Sequence, residues 1–325
     1  MADALPREFA EALERSRHRL GRLGSHIIFF STIGSTNDVA STIAASGERE
    51  GAVVIADEQT AGRGRRGRAW FSPPGSGLYV SVVLTPVRAR VDRTRATMLL
   101  PLAAGVALAE AVDAMTALPV VLKWPNDLLV ARRKLAGILA EAVATHAQGR
   151  PVLDTREHSA RGLSERESAS EASGGGAPRA VKSGASASAS LAEARRAKAG
   201  APRELMNVVL GYGINVGGMA YPPELGDRAT SLESELGRPV DRVQLWVETL
   251  AALSRRYEDL LAGRFDAILD AWRKRAPASR GARVTWNTQE GPRAGVTDSI
   301  DEDGALLVRI GDRIERIVAG EITWL

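Results

Sequence analysis

The sequence predicts an α+β protein in which a main domain of strands and helices is followed by a small β-barrel. Short apolar runs with strand character alternate with helical segments through most of the 325 residues. From Gly281 onward apolar and polar residues alternate, and turns at Asp303-Gly304 and Gly311-Asp312 separate the strands, which is typical of a small barrel. We therefore expect three parts: an N-terminal helix within 1–25, a main domain over 26–275, and a barrel over 280–325.

The elements of the main domain are predicted in chain order from periodicity and turn residues. The run Met98–Ala117 is interpreted as a buried helix, because its apolar core is shorter than the roughly 20 residues that span a membrane and contains Pro101. Other helices are expected around Pro6–Leu23, at Val39–Ala45, and twice within Asp241–Arg275. Strands are expected at Ala52–Asp57, Val120–Trp124, Leu128–Val130, Leu135–Val143 and Met206–Leu210.

Composition excludes several chemistries and permits others. The chain has no cysteine, so disulfides, thiolate metal sites and thiol nucleophiles are excluded, and this suits a cytoplasmic protein. The four histidines show no metal-ligand spacing, which argues against a zinc site built by the protein. A net charge of +4 does not by itself call for nucleic acid.

One segment, about 147–203, is predicted to be a disordered insert. It is rich in Ala, Ser, Gly, Arg and Glu, has no aromatic residue and contains only five of Val, Leu, Ile or Met. Ordering each residue costs roughly 1–2 kcal/mol, whereas five buried apolar side chains return about 1.5–3 kcal/mol each. The balance opposes folding of this segment.

The most distinctive motif is QTAGRGRRGRAW, from Gln59 to Trp70. Arginine forks and amides exposed by glycine suit phosphate or carboxylate, so this loop is interpreted as an anion trap. A solvated turn and a nucleic-acid contact are the alternatives. Its glycines also fit G-x-G-x-x-G, but Pro73 and Pro74 break the helix that a dinucleotide fingerprint needs, and no acid follows within Leu78–Val87.

Four further motifs accompany this loop: Ser35-Thr36-Asn37-Asp38, Lys123-Trp124-Pro125-Asn126-Asp127, Lys134-Leu135-Ala136-Gly137-Ile138 and Gly211-Tyr212-Gly213-Ile214-Asn215-Val216. Together and in this order they resemble the biotin protein ligases, over most of residues 26–145 and 205–325. The resemblance implies the biotin/lipoate ligase fold, in which a mixed-sheet main domain is followed by an SH3-like C-terminal barrel. It also implies ATP-dependent formation of biotinyl-5′-AMP, with Mg²⁺, and transfer of biotin to a lysine of a biotin carboxyl carrier domain, expected to belong to acetyl-CoA carboxylase.

The resemblance also implies roles for individual residues. Lys134 and Arg65 would act on the reacting carboxyl and phosphate, while Asp127 would handle the metal or orient the acceptor amine. The expected biotin contacts are Ser35, Thr36, Asn37, Gln59, Arg63, Gly64, Arg65, Lys134 and Gly137. The expected ATP or adenylate contacts are Arg65, Arg66, Arg68, Trp70, Lys123, Asn126, Lys134 and Asn215.

Each motif also has a purely structural interpretation. Ser35 with Asp38 has the spacing of a helix capping box, Trp70 could be an adenine platform or a core anchor, and Lys134 could be an ordinary basic turn residue. The Gly211–Val216 stretch could be a bulged strand. We expect the arginine loop to be poorly ordered until ligand arrives.

Two other functions are weighed against biotin ligation. A lipoate-type acyl-acid ligase would need the same cations, although the intact GRGRRGR and KWPND favour biotin. A nucleic-acid-binding module is the non-enzymatic alternative. About 30 residues precede the first motif, too few for the winged helix-turn-helix of some relatives, so we expect a monofunctional ligase that binds no operator DNA. The resemblance leaves the oligomeric state open.

Overall fold

The computed structural model describes residues 2–47, 50–144, 206–218 and 221–325. The predicted insert at about 147–203 lies outside the described residues, so its disorder stays a prediction. All described residues belong to one compact unit.

Seven strands form the main sheet, in the order β1-β2-β3-β7-β6-β5-β4. Strands β1 and β2 are parallel and every other neighbouring pair is antiparallel, so the predicted mixed sheet is confirmed. The strands are β1 His26–Ile33, β2 Ala52–Gln59, β3 Gly77–Leu84, β4 Val121–Lys123, β5 Asp127–Val130, β6 Arg133–Ala144 and β7 Met206–Asn215.

Helices cover both faces of this sheet. They are α1 Arg7–Leu20, α2 Thr36–Ala45, α3 Arg93–Thr116, α4 Leu232–Leu236, α5 Arg242–Leu261 and α6 Phe265–Arg275. The alternation along β2 explains the layering, because Val53 and Ile55 join the large core with α3 and α5, whereas Val54 and Ala56 join a smaller core with α2. A strand buried on both faces needs continuous apolar sequence, which β2 and β3 have.

Helix α3 is the buried helix expected at Met98–Ala117. Among the described residues it alone is long and apolar enough to cross a membrane by length and composition, but 67% of its most apolar window is buried inside the protein. It packs mainly against α5 and α6. Its apolar character is therefore explained by its place in the core.

The C-terminal region forms a second, five-stranded antiparallel sheet, in the order β11-β10-β9-β8-β12. Its strands are β8 Arg283–Thr288, β9 Gly291–Ile300, β10 Leu306–Ile310, β11 Arg313–Ile317 and β12 Ile322–Trp324. Gly304, at φ +81°, closes the predicted Asp303-Gly304 turn so near to Leu99 and Leu102 of α3 that a Cβ there would lie 2.7 Å from Leu102 Cδ1. This sheet is thus docked on the main domain and reaches the site described next.

Candidate active site

One cavity of about 460 Å³ brings the sequence motifs together. Its walls come from the start of α2, the loop after β2, the β4–β5 turn, β6, β7 and the segment leading into β12. Every site residue expected from the sequence lines it: Ser35, Thr36, Asn37, Gln59, Arg63, Gly64, Arg65, Arg66, Arg68, Trp70, Lys123, Asn126, Asp127, Lys134, Gly137 and Asn215.

The N-terminus of α2 forms a buried polar wall of the cavity. Ser35 is the N-cap residue but its side chain makes no capping hydrogen bond, so the alternative of a capping box with Asp38 is wrong. Gln59 takes that role instead, because its Oε1 accepts from the backbone N–H of Thr36 at 2.9 Å and from the Thr36 hydroxyl at 3.1 Å. A residue on β2 therefore satisfies an orphan amide of α2 and is held in place by it.

A buried carboxylate that sequence reasoning missed lies behind this wall. Glu141 on β6 is 8% exposed and accepts a hydrogen bond from Asn37 Nδ2 at 2.8 Å. Ser81 on β3, fully buried, donates to Asn37 Oδ1 at 2.5 Å. The only sequence signal for Glu141 is a single acid within the otherwise apolar run of β6, and its partners lie on distant elements.

The arginine loop is tied down at both ends. Arg63 Nη2 lies 2.6 Å from Asp38 and 3.3 Å from Glu141, while Arg68 pairs with Glu321 just before β12. Between them Arg65 Nη1 donates to Asn126 Oδ1 at 3.1 Å. The prediction that this loop orders only around ligand stays a prediction.

Trp70 lies across two glycines of the central strands. A Cβ on Gly213 would be 2.4 Å from Trp70 Nε1, and one on Gly137 would be 3.0 Å from Trp70 Cζ3. Lys134 Nζ lies 5.3 Å from the centre of the indole ring and 2.6 Å from Asp127 Oδ1. The two glycines are thus required by close approach of a ring, and Trp70, Lys134 and Asp127 form one cluster.

Asn215 anchors a neighbouring loop. Its Nδ2 donates to the carbonyl of Thr230 at 2.9 Å, and the Lys134 carbonyl lies 3.5 Å away. Because its amide hydrogens face backbone carbonyls, only its Oδ1 remains for the adenylate contact expected from the sequence.

The cavity carries an excess of positive charge. Eight cationic side chains line it, and within the described part of the chain five of these have no ion pair: Arg65, Arg66, Lys123, Arg132 and Arg228. Burial, together with the charge of Arg66, lowers the pKa of Arg65 below its ordinary value, and burial also lowers the pKa of Lys123. An anion that enters the cavity would therefore stabilise the charged forms of Arg65 and Lys123. Arg132 and Arg228 were not expected from the motifs.

No group of three or more His, Cys, Asp or Glu side chains is placed to hold a metal ion in the described ranges. Asp127, Asp227 and Glu321 are the carboxylates that line the cavity. Asp127 is paired with Lys134 and Glu321 with Arg68.

A family model and individual relatives both resemble this chain, and they point to the same family. Residues 29–150 match the Biotin/lipoate A/B protein ligase family. A "Bifunctional ligase/repressor BirA" of Bacillus spizizenii is 28% identical over 302 residues, covering 92% of this chain and 74% of the relative. A "Biotin--[acetyl-CoA-carboxylase] ligase" of Paracoccus denitrificans is 28% identical over 278 residues, covering 85% of this chain and 90% of the relative.

The fold is shared with a solved structure. The biotin protein ligase of Aquifex aeolicus in complex with biotin and ATP has a TM-score of 0.64 and 24% identity, covering 93% of this chain and 99% of that one. At this identity the likeness concerns the fold.

Proposed function

This chain belongs to the biotin protein ligases, and we propose that it activates biotin with ATP to biotinyl-5′-AMP and then transfers biotin to a lysine of a carrier protein. The observation that carries the proposal is that five cationic side chains, without an ion pair among the described residues, line the same cavity as the polar wall of α2. A triphosphate and a carboxylate must meet for this reaction, and both are anions.

The first step joins the two anions. A biotin carboxylate oxygen attacks the α-phosphorus of ATP, the bond to the bridging oxygen breaks, and pyrophosphate leaves with the electron pair. Arg65 and Lys123, both partly desolvated, would favour the developing charge more strongly than solvated cations could. Each charge-assisted hydrogen bond contributes about 1.5–3 kcal/mol.

Lys134 and Asp127 would change partners during this step. In the structure they are paired at 2.6 Å. Entry of the carboxylate and phosphates offers Lys134 stronger partners, which would release Asp127 to a metal ion or to the acceptor amine. One carboxylate together with phosphate oxygens suits Mg²⁺, which rarely uses an all-protein cage. Mg²⁺ would neutralise phosphate charge when it enters with ATP.

The second step transfers the acyl group. The ε-amine of the acceptor lysine attacks the acyl carbon of the adenylate, the bond to the phosphate oxygen breaks, AMP leaves, and the amine loses a proton. We propose a biotin carboxyl carrier domain of a biotin-dependent carboxylase as the acceptor, since the name of the Paracoccus relative gives acetyl-CoA carboxylase as the protein to which biotin is joined. We also propose that the enzyme acts in the cytoplasm.

The direct test is formation of the intermediate. Purified protein is incubated with ATP, Mg²⁺ and either biotin or lipoate, and pyrophosphate release and the adenylate are measured by mass spectrometry. The proposal predicts biotinyl-5′-AMP and biotin-dependent pyrophosphate. Lipoyl-AMP in its place would assign the sister activity, and no adenylate with either acid would contradict an adenylate-forming enzyme.

A further inference from the structure

We propose that Glu141 is a positioning residue that fixes the direction of the hydrogen bonds at the α2 wall, so that this wall accepts hydrogen bonds from substrate N–H groups. The inference rests on the proposed function, because the ureido ring of biotin supplies those N–H groups. It assigns a role to a buried carboxylate outside the five motifs.

The orientation of Asn37 is set by Glu141. An ionised carboxylate can only accept hydrogen bonds, so the Asn37 amide must turn its Nδ2 toward Glu141, 2.8 Å away. Its Oδ1 then faces the Ser81 hydroxyl, which donates to it at 2.5 Å. Asn37 is 5% exposed, so water cannot easily take over either bond.

The hydrogen bonds farther along the wall also have a fixed donor and acceptor. Ser81 shares its one hydroxyl hydrogen between Asn37 Oδ1 and Thr36 Oγ1, 2.8 Å away, because the Thr36 hydroxyl donates its own hydrogen to Gln59 Oε1 at 3.1 Å. Gln59 in turn donates through Nε2 to Ser72 Oγ at 3.0 Å. The hydroxyl hydrogens of Ser81 and Thr36 are used inside the wall. The oxygen lone pairs of Thr36 and Asn37, both of which line the cavity, remain for a ligand's donors.

The same carboxylate also holds the start of the arginine loop. Arg63 Nη2 lies 3.3 Å from Glu141, whose side chain is 11% exposed. Asp38 contacts the same nitrogen at 2.6 Å, but its side chain is 59% exposed and the pair is weakened by solvent. Glu141 therefore links α2, β6 and the loop through one buried group.

Substituting Glu141→Gln keeps the shape and removes the constraint. A glutamine amide can accept from Asn37 Nδ2 through its oxygen or donate to Asn37 Oδ1 through its nitrogen, so the Asn37 amide is no longer held in one orientation and can flip to present Nδ2 to Ser81. The wall would then offer a donor where a ureido N–H needs an acceptor. We expect the KM for biotin to rise about 10-fold, the scale of one lost hydrogen bond between uncharged groups, while the KM for ATP stays within about 2-fold.

A second buried carboxylate provides the matched control. Glu50, whose side chain is 3% exposed, is bound by Arg22 and Arg88 and does not line the cavity. Glu50→Gln should lower the thermal midpoint and leave the KM for biotin unchanged. Ser81→Ala interrupts the wall without touching a charge and should also raise the KM for biotin, so it carries the test if Glu141→Gln does not fold.

The assay is steady-state pyrophosphate release at varied biotin and at varied ATP, with isothermal titration of biotin alone into each folded variant. A selective rise in the biotin KM and in the biotin Kd supports the inference. A wild-type biotin KM in Glu141→Gln, an equal rise for ATP, or the same rise in Glu50→Gln overturns it. Failure of the wild-type protein to form biotinyl-5′-AMP would instead overturn the proposed function, and with it the ligand assigned to this wall.

Discussion

Adding one methyl group to Gly213 should disable the site while leaving the fold largely intact. An alanine Cβ there would lie 2.4 Å from Trp70 Nε1 and 2.5 Å from Cε2, so the indole must retreat by roughly 1 Å or more to reach ordinary contact. Overpacking of this kind costs about 1–3 kcal/mol. Because Trp70 belongs to a loop and Gly213 to the central strand β7, we expect Trp70 to move.

The movement of Trp70 in Gly213→Ala should lower the activity by a measurable amount. Trp70 lines the cavity and carries Lys134 Nζ over its ring at 5.3 Å, so its movement disturbs the cation as well. If the whole strain opposes the position of Trp70 described here, against Gly213 and Lys134, kcat/KM for adenylate formation in Gly213→Ala falls by about 5-fold to 150-fold. The assay is biotin-dependent pyrophosphate release, with thermal unfolding measured in parallel.

Gly217 offers the control. It follows the same strand, yet a Cβ there would make only ordinary contacts, the nearest at 3.6 Å from Glu233 and Ser76. Gly217→Ala should therefore retain wild-type kcat/KM. Wild-type activity in Gly213→Ala, or an equal loss in both variants, would refute the role given to the glycine and Trp70.

Three further predictions concern the charged groups. Lys134→Ala should lower the rate of adenylate formation by about 100-fold or more, the scale of losing a preorganised charge donor; an unchanged rate in a single-turnover assay would remove Lys134 from the chemistry. Because burial lowers the pKa of Lys123, its charge is lost at a lower pH than that of a solvated lysine, so the KM for ATP should rise early on the alkaline side. Lys123→Arg should flatten that profile, and an identical profile would show that Lys123 does not contact the nucleotide. The exposed pair of Arg68 with Glu321 should contribute less than about 1 kcal/mol, so Glu321→Gln should raise protease cleavage of the loop with less than about a 5-fold loss of kcat/KM; complete inactivation of a folded variant would contradict this.

Local patterns in the sequence were sufficient for most of the elements and for the motifs, although the strands β1, His26–Ile33, and β3, Gly77–Leu84, were not predicted. The strand expected at Ala52–Asp57 became β2, Ala52–Gln59, because apolar residues on both faces of a central strand form a continuous run. The buried helix expected at Met98–Ala117 is α3, Arg93–Thr116. The arginine loop, Lys134 and Asp127 lie in one cavity, as the resemblance implied.

The contacts that orient these groups could not be predicted from local patterns. The Ser35 capping box fits the spacing rule, yet Gln59, a neighbour only through the fold, satisfies the Thr36 amide at 2.9 Å. Glu141 and Asn37 are 104 positions apart, and their pairing depends on how β6 packs against α2. Burial and approach of distant elements decide such pairs, and neither leaves a periodic signal.

Intact-mass analysis of a purified biotin carrier domain is the sharpest test of biotin transfer by this protein. The carrier is incubated with this protein, biotin, ATP and Mg²⁺, beside reactions that omit ATP or replace biotin with lipoate. A biotin ligase should increase the mass of the carrier by one biotin less one water, only in the complete reaction, and the added mass should lie on a lysine. A carrier whose mass stays unchanged, or that gains lipoate instead, would contradict biotin transfer by this protein.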